Sequence, residues 1–242
     1  MDYLVDIGNS RTKYVTSFEG KLSSITCIDN EKLNRHWFNN HWSKAKKILV
    51  ATVSLKNSSN EIVLWAGEKN IPVCILNSEK TRFGVTSAYA QANKLGVDRW
   101  LALLGTAKLF PNKNVLIVDA GTATTIDLIS SSGLHIGGWI LPGIKTMFDS
   151  VQLSTTLVQA KNNTFPSLSF AQNTSDNVNN ACWAATIGAI ELAAKKAKVQ
   201  LQHLDAVIVT GGNGAQLLEL LTVEAIQVEN LIFHGIQRYS TE

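Results

Sequence analysis

The chain has 242 residues, of which 45% are hydrophobic and 17% charged, with a net charge of +3. That balance excludes a disordered chain, and the length suits one large domain or two of about 100–150 residues. The basic residues are scattered, with Lys44, Lys46 and Lys47 as the densest group, so no nucleic-acid partner is expected.

No apolar run approaches the ~20 residues of a membrane span, so no membrane partner is expected either. Cys27, Cys74 and Cys182 are too few and too far apart for a zinc site or a disulfide framework. Reduced thiols fit a cytoplasmic protein. The N-terminus enters a strand without a basic, apolar leader, so no secretory signal is expected.

In chain order, residues 3–7 and 12–18 predict a β-hairpin, and 22–28 a third strand. Residues 31–42 predict a helix, 47–53 a strand, 61–69 a helix and 72–76 a strand. This order matches one half of a ribonuclease-H-like unit. Residues 88–110 are strongly helical, interrupted around Gly96. The pattern then restarts, with strands over 114–119, 122–129 and 133–140, and helices over 143–150 and 181–197. A strand over 205–210 and a helix over 214–221 follow. Residues 160–180 are rich in Asn, Ser and Thr and form a candidate mobile loop. The half-chain repeat predicts two domains, 1–108 and 109–242.

Two segments of that repeat carry chemistry. One is Tyr3-Leu4-Val5-Asp6-Ile7-Gly8-Asn9-Ser10-Arg11-Thr12-Lys13; the other runs from Val115 through Asp119-Ala120-Gly121-Thr122 to Asp127. Both read as an apolar strand, Asp, any residue, Gly, then Asn or Thr, then strand again. An Asp at a strand end can hold magnesium, directly or through water. Gly8 lets the backbone turn and approach a phosphate without a Cβ in the way. Asn9, Ser10 and Thr12 offer neutral donors, and Lys13 a mobile positive charge. Taken alone, the first segment is equally an ordinary hairpin turn. The second copy, with hydroxyls on Thr122 and on Thr124 or Thr125, favours a duplicated α/β fold that clamps ATP between its halves.

Thr210-Gly211-Gly212-Asn213-Gly214 follows a strand and opens a helix, so it offers free backbone N–H groups to a base or phosphate. No P-loop pattern and no Gly-x-Gly-x-x-Gly after a first strand is present. Leu95-Gly96-Val97-Asp98-Arg99-Trp100 places a charged pair in an otherwise apolar helix, where it needs partners or a cleft. One reading is a structural ion pair. The other makes Asp98 a general base that takes the proton of a substrate hydroxyl as it attacks the γ-phosphorus. Arg99 would then neutralise a substrate carboxylate or the transferring phosphoryl oxygens. The histidines show no ligand spacing, and a solvated or structural role is expected for each.

With these residues together, the chain resembles the type III pantothenate kinases over nearly its whole length. Asp6 to Lys13 looks like that family's Asp-x-Gly-Asn-Thr-x-x-Lys motif, with Ser10 at its Thr. Gly96-Val97-Asp98-Arg99 matches its Gly-x-Asp-Arg motif. Asp119 to Asp127 matches Asp-x-Gly-Thr-Ala-x-Thr-x-Asp, and Gly137 to Gly143 fits Gly-Gly-x-Ile-x-Pro-Gly. The resemblance implies an acetate-and-sugar-kinase/actin-type fold: an α/β chain of duplicated ribonuclease-H-like domains, with mixed central sheets and a cleft between them. It also implies a homodimer with substrate near the subunit interface.

The implied reaction moves the ATP γ-phosphoryl to the primary hydroxyl of pantothenate, the first step of coenzyme A synthesis. By residue-to-residue match, Asp6, Ile7, Gly8, Asn9, Ser10, Arg11, Thr12, Lys13 and Thr122 would contact ATP. Asp98 would accept the proton. Tyr89, Gly96, Val97, Asp98 and Arg99 would line the pantothenate pocket. Asp119 would hold a monovalent cation, potassium or ammonium, with Asp6 on the magnesium side.

Two positions depart from the family pattern: Ala92 stands where a Pro is common, and Ala181 where a Thr contacts pantothenate, so Asn179 or Asn180 would have to substitute. The alternatives are a non-catalytic transcriptional accessory factor of the same family, or a same-fold kinase for another small alcohol.

Overall fold

The computed structural model describes residues 1–9, 11–53, 58–155, 160–161 and 166–240. These form two units, Met1–Pro111 with the segment from Asn230, and Asn112–Glu229.

Unit 1 begins with the antiparallel pair β1 (Asp2–Ile7) and β2 (Arg11–Phe18), in register from Asp2↔Ser17 to Ile7↔Thr12. Two short strands, β3 (Lys21–Leu22) and β4 (Thr26–Asp29), replace the single expected strand over 22–28, and both pair with β2. Ser23 causes the break: its hydroxyl accepts the Thr16 N–H at 2.9 Å, a bond that a continuous strand would make with backbone. The expected helix over 31–42 divides into a 3₁₀ turn, Asn30–Lys32, and α1 (Arg35–His41). The Asn34 side chain sets that start by accepting the Trp37 N–H at 3.0 Å.

Strand β5 (Lys47–Thr52) runs parallel to β1, and β6 (Val73–Ile75) parallel to β5, with α2 (Ser58–Glu68) between them. The sheet order is β3–β2–β1–β5–β6. Alternation along β1 and β5 sends Tyr3, Val5, Ile7, Ile48 and Val50 to one face, where they meet Phe38 and Trp42 near α1 and Ile62 and Trp65 of α2.

A hairpin not anticipated from the sequence follows, β7 (Thr81–Arg82) and β8 (Val85–Thr86), turning at Phe83 and Gly84 with φ of 51° and 78°. Two successive positive φ angles are what a tight two-residue hairpin loop requires. After a 3₁₀ turn at Ala92–Lys94, α3 (Val97–Leu109) begins, nine residues later than the predicted start at 88. Nearly every side of α3 is buried from Val97 to Thr106, as expected of a central helix.

Unit 2 repeats the plan. Strands β9 (Val115–Ala120), β10 (Ala123–Ile129) and β11 (His135–Pro142) form an antiparallel meander. Helices α4 (Ile144–Ser154) and α5 (Thr174–Gln200) follow, then β12 (Ala206–Thr210) parallel to β9, α6 (Gly214–Leu220) and β13 (Ile226–Gln227). The order β11–β10–β9–β12–β13 is that of unit 1. Each sheet puts its first strand centrally, its second antiparallel beside it and a later strand, β5 or β12, parallel on the other side; unit 1 adds β4 beside β2. This is the mixed-sheet, duplicated ribonuclease-H-like architecture expected from the repeated turns.

Helix α5 starts at Thr174, where Asn173 accepts the Asp176 N–H at 3.0 Å, so the irregular stretch predicted over 160–180 ends earlier. Residues 162–165 of that stretch lie outside the described residues. Cys182, Trp183, Ile187 and Ile190 of α5 pack on Leu116, Val118 and Ile126. A bulge at Leu128/Ile129 sits beside a buried pair, Asp127 Oδ1 and His135 Nε2 at 2.9 Å. The three cysteines are free, and no described helix is long and apolar enough to cross a membrane.

The last helix, α7 (Leu231–Gln237), belongs to unit 1 and packs on α3. The expected division at 108/109 therefore needs a correction at its far end, because unit 2 stops at Glu229. The physical reason lies in two glycines. A Cβ on Gly105 would strike the Leu231 carbonyl oxygen, and one on Gly235 the Leu101 carbonyl oxygen. The two backbones touch where neither carries a side chain.

Gly235→Ala is expected to lower stability by about 1–3 kcal/mol through overpacking, despite a helix-propensity gain of ~1 kcal/mol; the urea-denaturation midpoint reads it. His234 gives a pH dependence. Its Nδ1 is buried without a hydrogen-bond partner among the described residues, and burial, helped by Lys108, holds the imidazole below its ordinary 6.5. The unfolded chain then takes up this proton before the folded one does. Stability present at neutral pH is lost as pH falls below 6.5 toward the folded value. His234→Phe is expected to flatten the fall in urea midpoint between about pH 7.5 and about pH 5.5.

Candidate active site

Each glycine turn lies at the carboxyl end of the first strand of its sheet, the edge where α/β folds place ligands. In unit 1 the Gly8 N–H donates to the Arg11 carbonyl at 3.0 Å. A Cβ on Gly8 would stand 3.2 Å from that oxygen, so the turn is tight. Asn30 holds it from behind, its Nδ2 donating to the Gly8 carbonyl at 2.9 Å and its Oδ1 accepting from Thr12 Oγ1 at 2.8 Å.

The predicted ATP residues therefore separate. Ile7 and Thr12 are fully buried and shape the turn, and the Thr12 hydroxyl is engaged by Asn30. Asp6 stands opposite Lys13 across the β1–β2 pair, on the same face of the sheet. That face is the one away from Tyr3, Val5 and Ile7. Asn9 is exposed, and Arg11 makes a surface ion pair with Asp29 at 3.3 Å. Ser10 lies outside the described residues.

In unit 2 the turn is one residue shorter: the Gly121 N–H donates to the Ala123 carbonyl at 3.0 Å. Two other glycine segments of this unit converge on it. Gly143 N and Thr146 Oγ1 donate to the Thr122 carbonyl at 3.0 and 2.9 Å, and a Cβ on Gly143 would collide with the Gly121 and Thr122 carbonyls. Gly211, at φ 89°, passes under Asp119; a Cβ there would come within 2.5 Å of Asp119 Oδ1 and 2.6 Å of the Ala120 carbonyl. Asn213 N donates to that same carbonyl at 3.1 Å. Thr122 is exposed, whereas Thr124 is buried with its hydroxyl unpartnered among the described residues. Thr125, opposite Asp119 in register, is the hydroxyl on the Asp119 face.

The Gly96–Arg99 motif is the first turn of α3, with Gly96 as its N-cap. Asp98 Oδ1 accepts the Arg99 N–H at 2.7 Å, one of the backbone donors that a helix start leaves unpaired. The helix dipole favours a carboxylate at this position. A Cβ on Gly96 would lie 2.5 Å from Asp98 Oδ1, so glycine here gives the carboxylate its room. Val97 is buried. Arg99, 5% exposed, donates to the Tyr89 hydroxyl at 2.9 Å and lies over its ring at 5.7 Å. Tyr89, Gly96, Val97, Asp98 and Arg99 thus form one cluster within unit 1.

Lys80 and Asn30 were not anticipated. Lys80 Nζ donates to the Ser87 and Tyr89 carbonyls at 2.7 and 3.0 Å and fixes the backbone that carries Tyr89. Nothing in a lysine or asparagine in a polar stretch marks either role in advance. In unit 2, the Asn179 amide donates to the Lys161 and Ser175 carbonyls, and that of Asn180 to the Ser169 carbonyl. Both amides brace the segment before and at the start of α5.

Known proteins match this chain along its length. A family model described as type III pantothenate kinase covers residues 3–196. A type III pantothenate kinase of Colwellia psychrerythraea is 47% identical, over 99% of this chain and 100% of that protein. One of Pseudoalteromonas translucida is 35% identical, over 98% and 94%. Among solved structures, a conserved candidate Baf family transcriptional activator from Campylobacter jejuni superposes with a TM-score of 0.62 at 25% identity, covering 99% of this chain and 97% of that one.

Gly211→Ala combines a positive φ with a collision against the Asp119 carboxylate. It is expected to destabilise unit 2 by about 2–3 kcal/mol, measured by chemical denaturation. A loss below about 0.5 kcal/mol would show that Asp119 is not held against Gly211.

Proposed function

The chain belongs to the type III pantothenate kinase family, and we propose on that premise how its residues divide the reaction. The protein is an ATP-dependent kinase that transfers the γ-phosphoryl of ATP to the primary hydroxyl of pantothenate, giving 4'-phosphopantothenate at the first step of coenzyme A synthesis.

The observation that supports the assignment of roles is the start of α3. Asp98 uses one carboxylate oxygen on its own helix and has no other protein partner among the described residues. Its second oxygen is the general base. As the pantothenate hydroxyl oxygen bonds to the γ-phosphorus, the bond from that phosphorus to the bridging oxygen breaks and ADP leaves with the electron pair. The hydroxyl proton passes to Asp98. Arg99, steadied by Tyr89, meets the substrate carboxylate. Gly96 and Val97 complete this wall of the acceptor pocket.

Asp6, Gly8, Asn9 and Lys13 receive the ATP phosphates in unit 1, with Ile7, Arg11 and Thr12 holding the turn; Ser10 joins the ATP contacts on the family motif alone. Thr122 offers its hydroxyl in unit 2. Among the described residues no group of three or more His, Cys, Asp or Glu could hold a metal. Asp6 supplies a carboxylate near the strand end, which fits magnesium, an ion that commonly takes one or two carboxylates and completes its shell with phosphates and water. At Asp119 a carboxylate oxygen and the Ala120 carbonyl both lie beside Gly211, and oxygen donors of this kind fit potassium or ammonium. When bound, these cations offset the charge of the polyphosphate. A homodimer acting in the cytoplasm completes the proposal, on the strength of the family resemblance.

The alternative of a transcriptional accessory role, which the description of the Campylobacter jejuni protein also carries, is not favoured. It gives no reason for Gly96, Asp98, Arg99 and Tyr89 to be built into one cluster.

Asp98→Asn is expected to cut turnover by about 10²–10⁴ with ATP affinity little changed. ATP consumption, followed with and without pantothenate in potassium and in sodium buffer, tests the whole scheme. Faster turnover in potassium supports the cation site. No pantothenate-dependent turnover in either buffer would sink the assignment, and near-normal turnover by Asp98→Asn would remove its base.

A further inference from the structure

Two bridges join the segment before α3 to that helix, and their ends are neighbours in sequence on both sides. In the first, the Tyr89 hydroxyl accepts from Arg99 Nη1 at 2.9 Å while Lys80 Nζ holds the Tyr89 carbonyl at 3.0 Å. In the second, the Tyr239 hydroxyl accepts from Trp100 Nε1 at 3.2 Å and donates to Glu79 Oε1 at 2.8 Å. Glu79 adjoins Lys80, and Arg99 adjoins Trp100. The first bridge is formed by the pocket residues themselves. The second is supplied from just beyond α7, by a residue far from any assigned role.

We propose that Tyr239 is a positioning residue for the acceptor pocket: by joining Glu79 to Trp100 it sets the spacing between the Tyr89 segment and the start of α3. Resting on the kinase reading of this site, Tyr239 decides where Tyr89 and Arg99 stand relative to Asp98, without touching substrate.

The surroundings of Tyr239 support a fixed link. Its side chain is 8% exposed and Trp100 is fully buried. Burial, helped by the Glu79 carboxylate and opposed by the Trp100 hydrogen bond and Arg82, raises the phenol well above its ordinary 10, so it remains a neutral donor. Its ring meets Phe83, the tip of the β7–β8 hairpin, edge-on at 5.1 Å. Arg82 lies over both the Tyr239 and the Phe83 rings, at 5.8 and 5.1 Å. Arg238 covers Phe83 at 4.7 Å and donates to the carbonyls of Phe83 and of Leu104 in α3, at 2.9 and 3.2 Å. The hairpin that leads into Ser87 and Tyr89 is thus gripped by the two residues that follow α7.

Tyr239→Phe in the full chain keeps the ring and removes both hydrogen bonds. The expected result is a rise in KM for pantothenate of about tenfold, with KM for ATP unchanged. Amide exchange should quicken over 79–95 and the first turn of α3, and stay as it was in unit 2. Glu79→Gln, which keeps an acceptor, should behave as wild type. Glu79→Leu should match Tyr239→Phe, and the double variant should be no worse than either. A merely structural Tyr239 would lower the denaturation midpoint and leave both KM values alone. A pantothenate KM within about twofold of wild type therefore overturns the inference, whatever the midpoint does. If Tyr239→Phe does not fold, Glu79→Leu is read by the same criteria. If the wild-type chain itself shows no pantothenate turnover, the kinase assignment fails, and exchange over 79–95 alone decides the positioning role.

Discussion

Helices α3 and α7 meet backbone to backbone at Gly105 and Gly235, and the candidate acceptor site depends on that contact. A methyl group on either glycine would occupy the position of a carbonyl oxygen of the facing helix. The close approach buries α3 on almost every side and brings the end of α7 to its flank. From there Arg238 and Tyr239 reach Leu104, Trp100 and the β7–β8 hairpin. The first turn of α3 then projects Asp98 from a helix that has little freedom to move. Interiors packed this densely transmit small shifts rather than absorb them, which is why a residue outside the pocket can govern its geometry.

The two sheets have the same strand order, yet their glycine turns are finished differently. In unit 1 the turn is longer, is latched by Asn30 and has Lys13 opposite Asp6. In unit 2 it is shorter, is braced by Gly143 and Gly211 and has the neutral Thr125 opposite Asp119. The proposed division of cations follows this asymmetry. A carboxylate with a lysine across the strand suits magnesium and phosphate, whereas a carboxylate with a threonine across the strand and the Ala120 carbonyl nearby suits a monovalent ion.

Much of this was legible in the residues because the signals are local. The runs Tyr3–Ile7 and Val115–Ala120 are apolar and β-branched, so they form central strands almost regardless of context. Asp-x-Gly at their ends makes a tight turn for steric reasons, and Gly96 before Val97 marks a helix start. Where local signals compete, the reading drifted. Helical propensity over 88–96 lost to the side-chain and backbone ties made by Lys80, Ser78 and Ser87, which hold that segment in bends and one 3₁₀ turn. The strand over 22–28 was broken by a single serine hydroxyl. Thr12, read as a phosphate donor, faces inward because it falls on the core side of β2, where alternation places it opposite Ile7.

The duplicated α/β architecture, the two acidic turns and the Gly96–Arg99 motif are local properties of the chain, because each follows from periodicity or from backbone sterics within a few residues. Long-range packing is what returns the chain beyond Glu229 to the first unit, sets Asn30 against the first turn, and lets Tyr239 bridge Glu79 to Trp100. Those contacts join residues up to 160 positions apart. Their partners are ordinary glycines, asparagines and tyrosines whose roles arise from where packing brings them, not from their neighbours in the chain.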